Sequence, residues 1–157
     1  MRHNAIRDTA AFFLREAKCK DVRIEPALLT VQPSSFLRKT NTQDEARLDV
    51  AAVGLYAPFE RTFFDIRVTH PNCDTNTFKT LDKIYKDHEK EKKDLYEERV
   101  LQSEKGSFVP LVFTTSGGMG PLCTVFVDRV SEMIADHKKK PRAKSKIISE
   151  HDSDLIC

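Results

Sequence analysis

The stretch FFDIRVTHP (63–71) decides the fold. Phe63, Phe64, Ile66 and Val68 mark it as a buried strand, yet Asp65 stands in its middle with Arg67 two positions on. Strand side chains alternate between faces, so Asp65 and Arg67 project from the same side of the sheet. A buried charge is costly unless it is paired or holds a metal. That face is therefore either a solvated strand edge or a site, and the flanking sequence has to choose between them.

Working upstream, RLDVAAVG (47–54) is a second strand, joined to TFFDIRVTH (62–70) through LYAPFER, whose Pro58 suits a connection. The two form a hairpin that sets Asp49 and Asp65 at matching depths. Carboxylates brought together from adjacent strands repel each other, and a divalent cation relieves that repulsion with hard oxygen ligands. Mg²⁺, or Mn²⁺ in its place, is the expected cofactor. Glu25, at the end of the short strand DVRIEP (21–26), or Glu16 in the first helix would supply a further carboxylate. That first helix spans Asn4 to about Cys19, with Ile6, Ala10, Phe13, Leu14 and Ala17 on its apolar stripe. Residues 27–44 carry many Ser, Thr, Pro and Asn and read as a loop with one helical turn.

Downstream, HPNCDTNT (70–77) is dense in turn formers that can cap a helix. Residues 78–104 contain no Gly or Pro and predict the longest helix of the chain, which Gly106 ends. On it Lys92 and Tyr96 lie one turn apart, with His88 a turn earlier and Lys93 three residues before Tyr96. One face can thus present an amine, an imidazole and a phenol, although the run HEKEKKDLYEER also serves simple solvation. SFVPLVFTT (107–115) is a nearly continuous apolar run, expected as a strand covered on both faces. SGGMGP breaks the chain before a last amphipathic helix through Leu122, Val125, Phe126, Val130, Met133 and Ile134.

The resulting order is α, β, β, β, α, β, α: an α/β fold with a central mixed sheet flanked by helices. The chain of 157 residues, 39% apolar with ten Phe, suits one domain over 1–137, followed by a disordered basic and polar tail over 138–157. Lys plus Arg number 26 against 24 for Asp plus Glu, so the net charge of +2 neither demands nor excludes a nucleic-acid partner. Four scattered Cys without a C-x-x-C pair argue against a zinc ribbon or a disulfide scaffold. With no signal-peptide core or spanning segment, an intracellular, non-membrane protein is expected. The cluster KKKPRAKSK (138–146) fits nuclear import, or a phosphate-attracting arm.

RHN (2–4) before a helix, then IEP (24–26), RLDV (47–50), FDIRV (64–68), a Lys-rich helix reaching Tyr96 and a final VPLVF strand form an ordered series. It resembles the restriction-like endonuclease domain of non-LTR retrotransposons, within the PD-(D/E)xK nuclease superfamily, over residues 2–135. The resemblance implies the restriction-endonuclease-like αβββαβ core with a C-terminal helix. It also implies metal-dependent nicking of DNA by phosphodiester hydrolysis, with a reverse transcriptase as a further partner. Asp49 and Asp65 would hold the metal, Lys92 or Lys93 would be the catalytic amine with Tyr96 beside it, and Arg2, His3, Arg67 and His88 would face DNA. The Pro that usually precedes the first Asp is Leu48 here, and Arg67 stands where the half-motif has Lys. Arg stays protonated and cannot act as a general base, but its fixed charge can stabilise a phosphate.

Other readings follow from the residues as well. A catalytically inactive remnant of the same fold would bind DNA through Lys and Arg with a strong salt dependence, in the nucleus or the cytoplasm. SGGMG between strand and helix could cradle a nucleotide phosphate, but it lacks GxxxxGK[ST] and GxGxxG. Ser116 lacks the GxSxG setting of a hydrolase nucleophile.

Overall fold

β3 (Arg61–Thr69) carries the organising stretch and sits inside a four-stranded sheet of order β1-β2-β3-β4. On one side it pairs antiparallel with β2 (Val50–Val53), with Val50 opposite Phe64 and Ala51 opposite Phe63. On the other it pairs parallel with β4 (Ser107–Thr114), from Thr62 opposite Ser107 to Thr69 opposite Thr114. β1 (Lys20–Ile24) is the antiparallel edge beside β2. The structure, a computed structural model, describes the backbone of residues 2–149 and the side chains of 2–74 and 76–139.

A parallel pair needs a long crossover, and α2 (Leu81–Arg99) with the π-helical turn 100–104 provides it between β3 and β4. The helix expected over 78–104 thus begins three residues later, where the Thr80 hydroxyl accepts from the Lys83 amide. Its end is set by Lys105 in the left-handed region at φ 54°. Gly106 answers a different need: a Cβ there would lie 2.3 Å from the Arg61 carbonyl oxygen where β4 begins beside β3.

The alternation in β3 divides the core in two. Phe64 and Ile66 face α1 (His3–Glu16) and α3 (Pro121–Ser149), packing with Ala10, Leu14, Val50, Leu111, Cys123, Phe126 and Val130. Phe63 faces the other way, with Leu48, Ala51, Val100 and Phe108, against Tyr96 of α2. β4 feeds both clusters, as its apolar run predicts. Fully burying a Phe such as Phe64 stabilises the fold by about 3 kcal/mol.

Several expectations shift by a helix position. Phe13 is 44% exposed and Ala11 takes its place in the core; likewise Val125 is exposed and Cys123 is buried. β1, an edge strand, buries little: Val22 alone is half-buried. α3 runs to Ser149, so residues 138–149, expected in the tail, continue its backbone, and the tail's last part, 150–157, lies outside the described residues. No helix among the described residues is long and apolar enough to cross a membrane.

Candidate active site

Continuing the β2–β3 register by one residue sets Asp49 directly opposite Asp65, and the Asp49 amide donates to the Phe64 carbonyl at 3.0 Å. Both carboxyls lie on the α2 side, with Ala51 and Phe63 of the same face. Asp49 Oδ2 accepts from the Ile66 amide at 2.6 Å and from His3 Nε2 at 3.1 Å. The first residue of α1 is thereby tied to the start of β2. The Asp49 carbonyl also accepts from the Glu25 amide at 2.8 Å.

Asp65 is buried, 7% exposed, and its Oδ2 lies 2.7 Å from Lys92 Nζ as an ion pair. That oxygen makes no aligned hydrogen bond. Burial pushes the Asp65 carboxyl up to about 6, the neighbouring Asp49 carboxyl adds to the rise, and the Lys92 ammonium opposes both. Two carboxyls this close, the buried one raised by its neighbour, form a site that a cation would relieve.

α2 separates the four residues expected from it. Lys92 is 17% exposed and points to Asp65, with its ammonium 6.0 Å from the centre of the Tyr96 ring. Lys93 points away to Glu97 at 3.9 Å and is 41% exposed. The amine of the site is therefore Lys92. The Tyr96 ring packs on Phe108 and its hydroxyl accepts from Asn41 Nδ2 at 3.3 Å. His88 Nε2 meets Thr69 Oγ1 at 3.1 Å, and burial followed by the nearby Arg67 guanidinium lowers its pKa. Arg67 makes no ion pair among the described residues, and its charge remains available on the Asp65 face.

Glu25 does not join the pair. Its carboxylate is held by Arg7 Nη1 at 2.9 Å and is largely exposed. Glu16 closes α1 about 20 Å along the axis from His3, too far to contribute. Among the described residues no group of three or more His, Cys, Asp or Glu gathers as a metal cage. Arg2 is exposed beside His3.

Sequence reasoning missed three residues. Arg7, off the apolar stripe of α1, lies between Asp8 and Glu25, and its pKa is raised by the Asp8 hydrogen bond foremost, with Glu25 and Asp49 adding to the rise. Arg99 is fully buried and donates to the carbonyls of Leu29, Asn41 and Gln43 at 2.8 to 2.9 Å, which staples the 25–49 connection to α2. Glu89, also buried, accepts from the Leu122 amide at 3.0 Å and so occupies the N-terminus of α3. No local pattern marks these, since each acts on a segment distant in sequence.

The SGGMG loop is a packing device rather than a phosphate cradle. A Cβ on Gly118 would meet the Tyr85 hydroxyl at 2.3 Å, and one on Gly120 would meet Glu89 Oε1 at 2.9 Å. Ser116 bonds to Thr114 at 3.0 Å. Comparison with protein-family models, with curated proteins and with solved structures finds no match for this chain.

Proposed function

We propose that the chain is a metal-dependent DNA endonuclease with Asp49 and Asp65 as metal ligands and Lys92 as the amine. The observation that carries this is the convergence of two carboxylates from neighbouring strands with a helix-borne ammonium 2.7 Å from one of them. The sheet order, with an antiparallel β1-β2-β3 followed by parallel β4, supports a restriction-endonuclease-like core. The chain's residues suit Mg²⁺ or Mn²⁺: a small hard ion is commonly bound through one or two carboxylates and completes its shell with water and substrate phosphate. When bound, such an ion supplies charge stabilisation and a water of lowered pKa.

The protein's own groups do the rest. Asp49 is oriented by the Ile66 amide and His3, so its free lone pairs turn towards Asp65. Lys92, released from Asp65 when that carboxylate takes a cation, is placed to position the attacking water or to donate to the phosphate. Arg67, two residues along the same face, offers fixed positive charge to the transferring phosphoryl group. The polymer proposed is DNA; the reverse transcriptase implied by the resemblance would act afterwards, on the 3′ end of a nick.

Nicking of supercoiled plasmid in Mg²⁺ or Mn²⁺ tests this reading. Wild type is expected to convert plasmid to the open circle, Asp49→Ala and Asp65→Ala to fall by roughly 100-fold or more, and chelator to abolish the reaction. Nicking that survives in both Asp variants would refute it. Arg67 in place of the motif lysine favours one other reading, a DNA-binding module without catalysis. Salt-sensitive binding with no nicking by wild type would establish that instead.

A further inference from the structure

Past the C-terminal end of β3 the chain holds an aromatic ring out in water. Phe78 is 101% exposed, in the turn between β3 and α2. The turn that carries it is tied down on both sides. Buried Asn76 donates from Nδ2 to the His70 carbonyl at 3.0 Å, its amide donates to Cys73 at 2.8 Å, and its carbonyl accepts from the Lys79 amide at 3.0 Å. Thr80 then caps α2. The ring is thus presented by a fixed backbone.

Cationic groups link this ring to the carboxylate pair. Lys79 pairs with Asp87 at 3.0 Å and acts electrostatically on His88, as does Arg67. His88 lies one turn before Lys92. From Leu81 to Lys92 the helix rises about 17 Å, the length of about five stacked nucleotide steps. The acids Asp82 and Asp87 on this end of α2 are engaged with Lys86 and with Lys79 and Lys83.

The geometry points to a single-stranded DNA segment as the substrate held here, its phosphates passing Lys92, Arg67 and His88 and one of its bases stacked on Phe78. The inference rests on the nuclease reading for the place of the scissile phosphate, but not for the binding itself. A base inside a duplex has both faces covered by its neighbours, so a free ring can stack only on an unpaired or terminal base. Aromatic rings set beside a cationic groove are the usual means of holding single strands. Phe59 supplies a control: it is 93% exposed, at the opposite end of β3.

The test is fluorescence anisotropy with a 12-nucleotide single strand and with the duplex of the same sequence, in chelator so that no cleavage occurs. Phe78→Ala is expected to weaken single-strand binding roughly 10-fold, leaving duplex binding and thermal melting as in wild type. Phe59→Ala should change neither. Arg67→Ala should weaken both and lower the salt slope by about one. Single-strand binding by Phe78→Ala equal to wild type, equal losses in the two Phe variants, or no single-strand binding by wild type would each overturn the inference. Because the readout needs no chemistry, a Phe78 effect in a protein that never nicks plasmid would sink the nuclease reading and leave this one standing.

Discussion

Asp65 is a carboxylate whose surroundings favour its neutral form. Burial is the largest cause, the Asp49 carboxyl the secondary one, and Lys92 offsets them only in part, leaving the pKa at about 6. In the unfolded chain the same group ionises near its ordinary value of 3.8. Between those values the folded protein binds more protons than the unfolded one, so stability falls as pH rises. Asp65's contribution is complete below about pH 4 and lost above about 6, an amount on the order of 3 kcal/mol. Urea unfolding of wild type minus that of Asp65→Asn, taken between pH 4 and 7, should show that decline; a flat difference would contradict the assigned environment. Lys92 and Lys93 make the second prediction at this scale. Lys92→Met should reduce plasmid nicking roughly 100-fold, whereas Lys93→Met, which loses only an exposed contact with Glu97, should stay within about threefold. The pairing of Asp49 with Asp65 was legible from strand alternation together with the hairpin register across LYAPFER. The choice between two adjacent lysines was not, because neighbours on a helix differ by about 100° and only the orientation of α2 against the sheet selects one.

Among the elements, the 25–49 connection is long and nearly devoid of regular structure, yet it positions Asp49. Arg99 explains how: its guanidinium donates to three backbone carbonyls of that connection. Arg99→Met is expected to lower stability by about 3–5 kcal/mol, seen as a lower urea midpoint, with loss of nicking following from the displaced loop. At the other end of the crossover, Gly106→Ala must move the Arg61 carbonyl by the best part of an ångström. A loss of about 1–3 kcal/mol is expected, and an unchanged melting temperature would show that the start of the β3–β4 pair yields without cost. Element types were readable because their signals are local: apolar alternation in β3, absence of Gly and Pro over α2, and turn residues over 70–77. The partners of Arg99 and Glu89 were unreadable because they lie 33 to 70 residues away in the chain.

For the whole molecule, the sheet joins an antiparallel hairpin to a parallel crossover, and the carboxylate pair lies where the two meet. A cation shared there should couple binding to folding. At pH 7.5, millimolar Mn²⁺ is expected to raise the melting temperature of wild type by a few degrees, less at pH 5 where protons compete for Asp65, and not at all in Asp49→Asn. Equal shifts in wild type and variant would place the ion elsewhere. By itself the sequence determined the α/β series, the turn before α2, and the fact that Asp65 and Arg67 share a face, since these depend on periodicities of two and 3.6 residues carried by neighbouring positions. Only the tertiary structure decided that Lys92 reaches Asp65, that Glu25 belongs to Arg7, and that the Tyr96 ring packs on Phe108. Those outcomes turn on distances of a few ångströms between side chains brought together by packing, which no local pattern encodes.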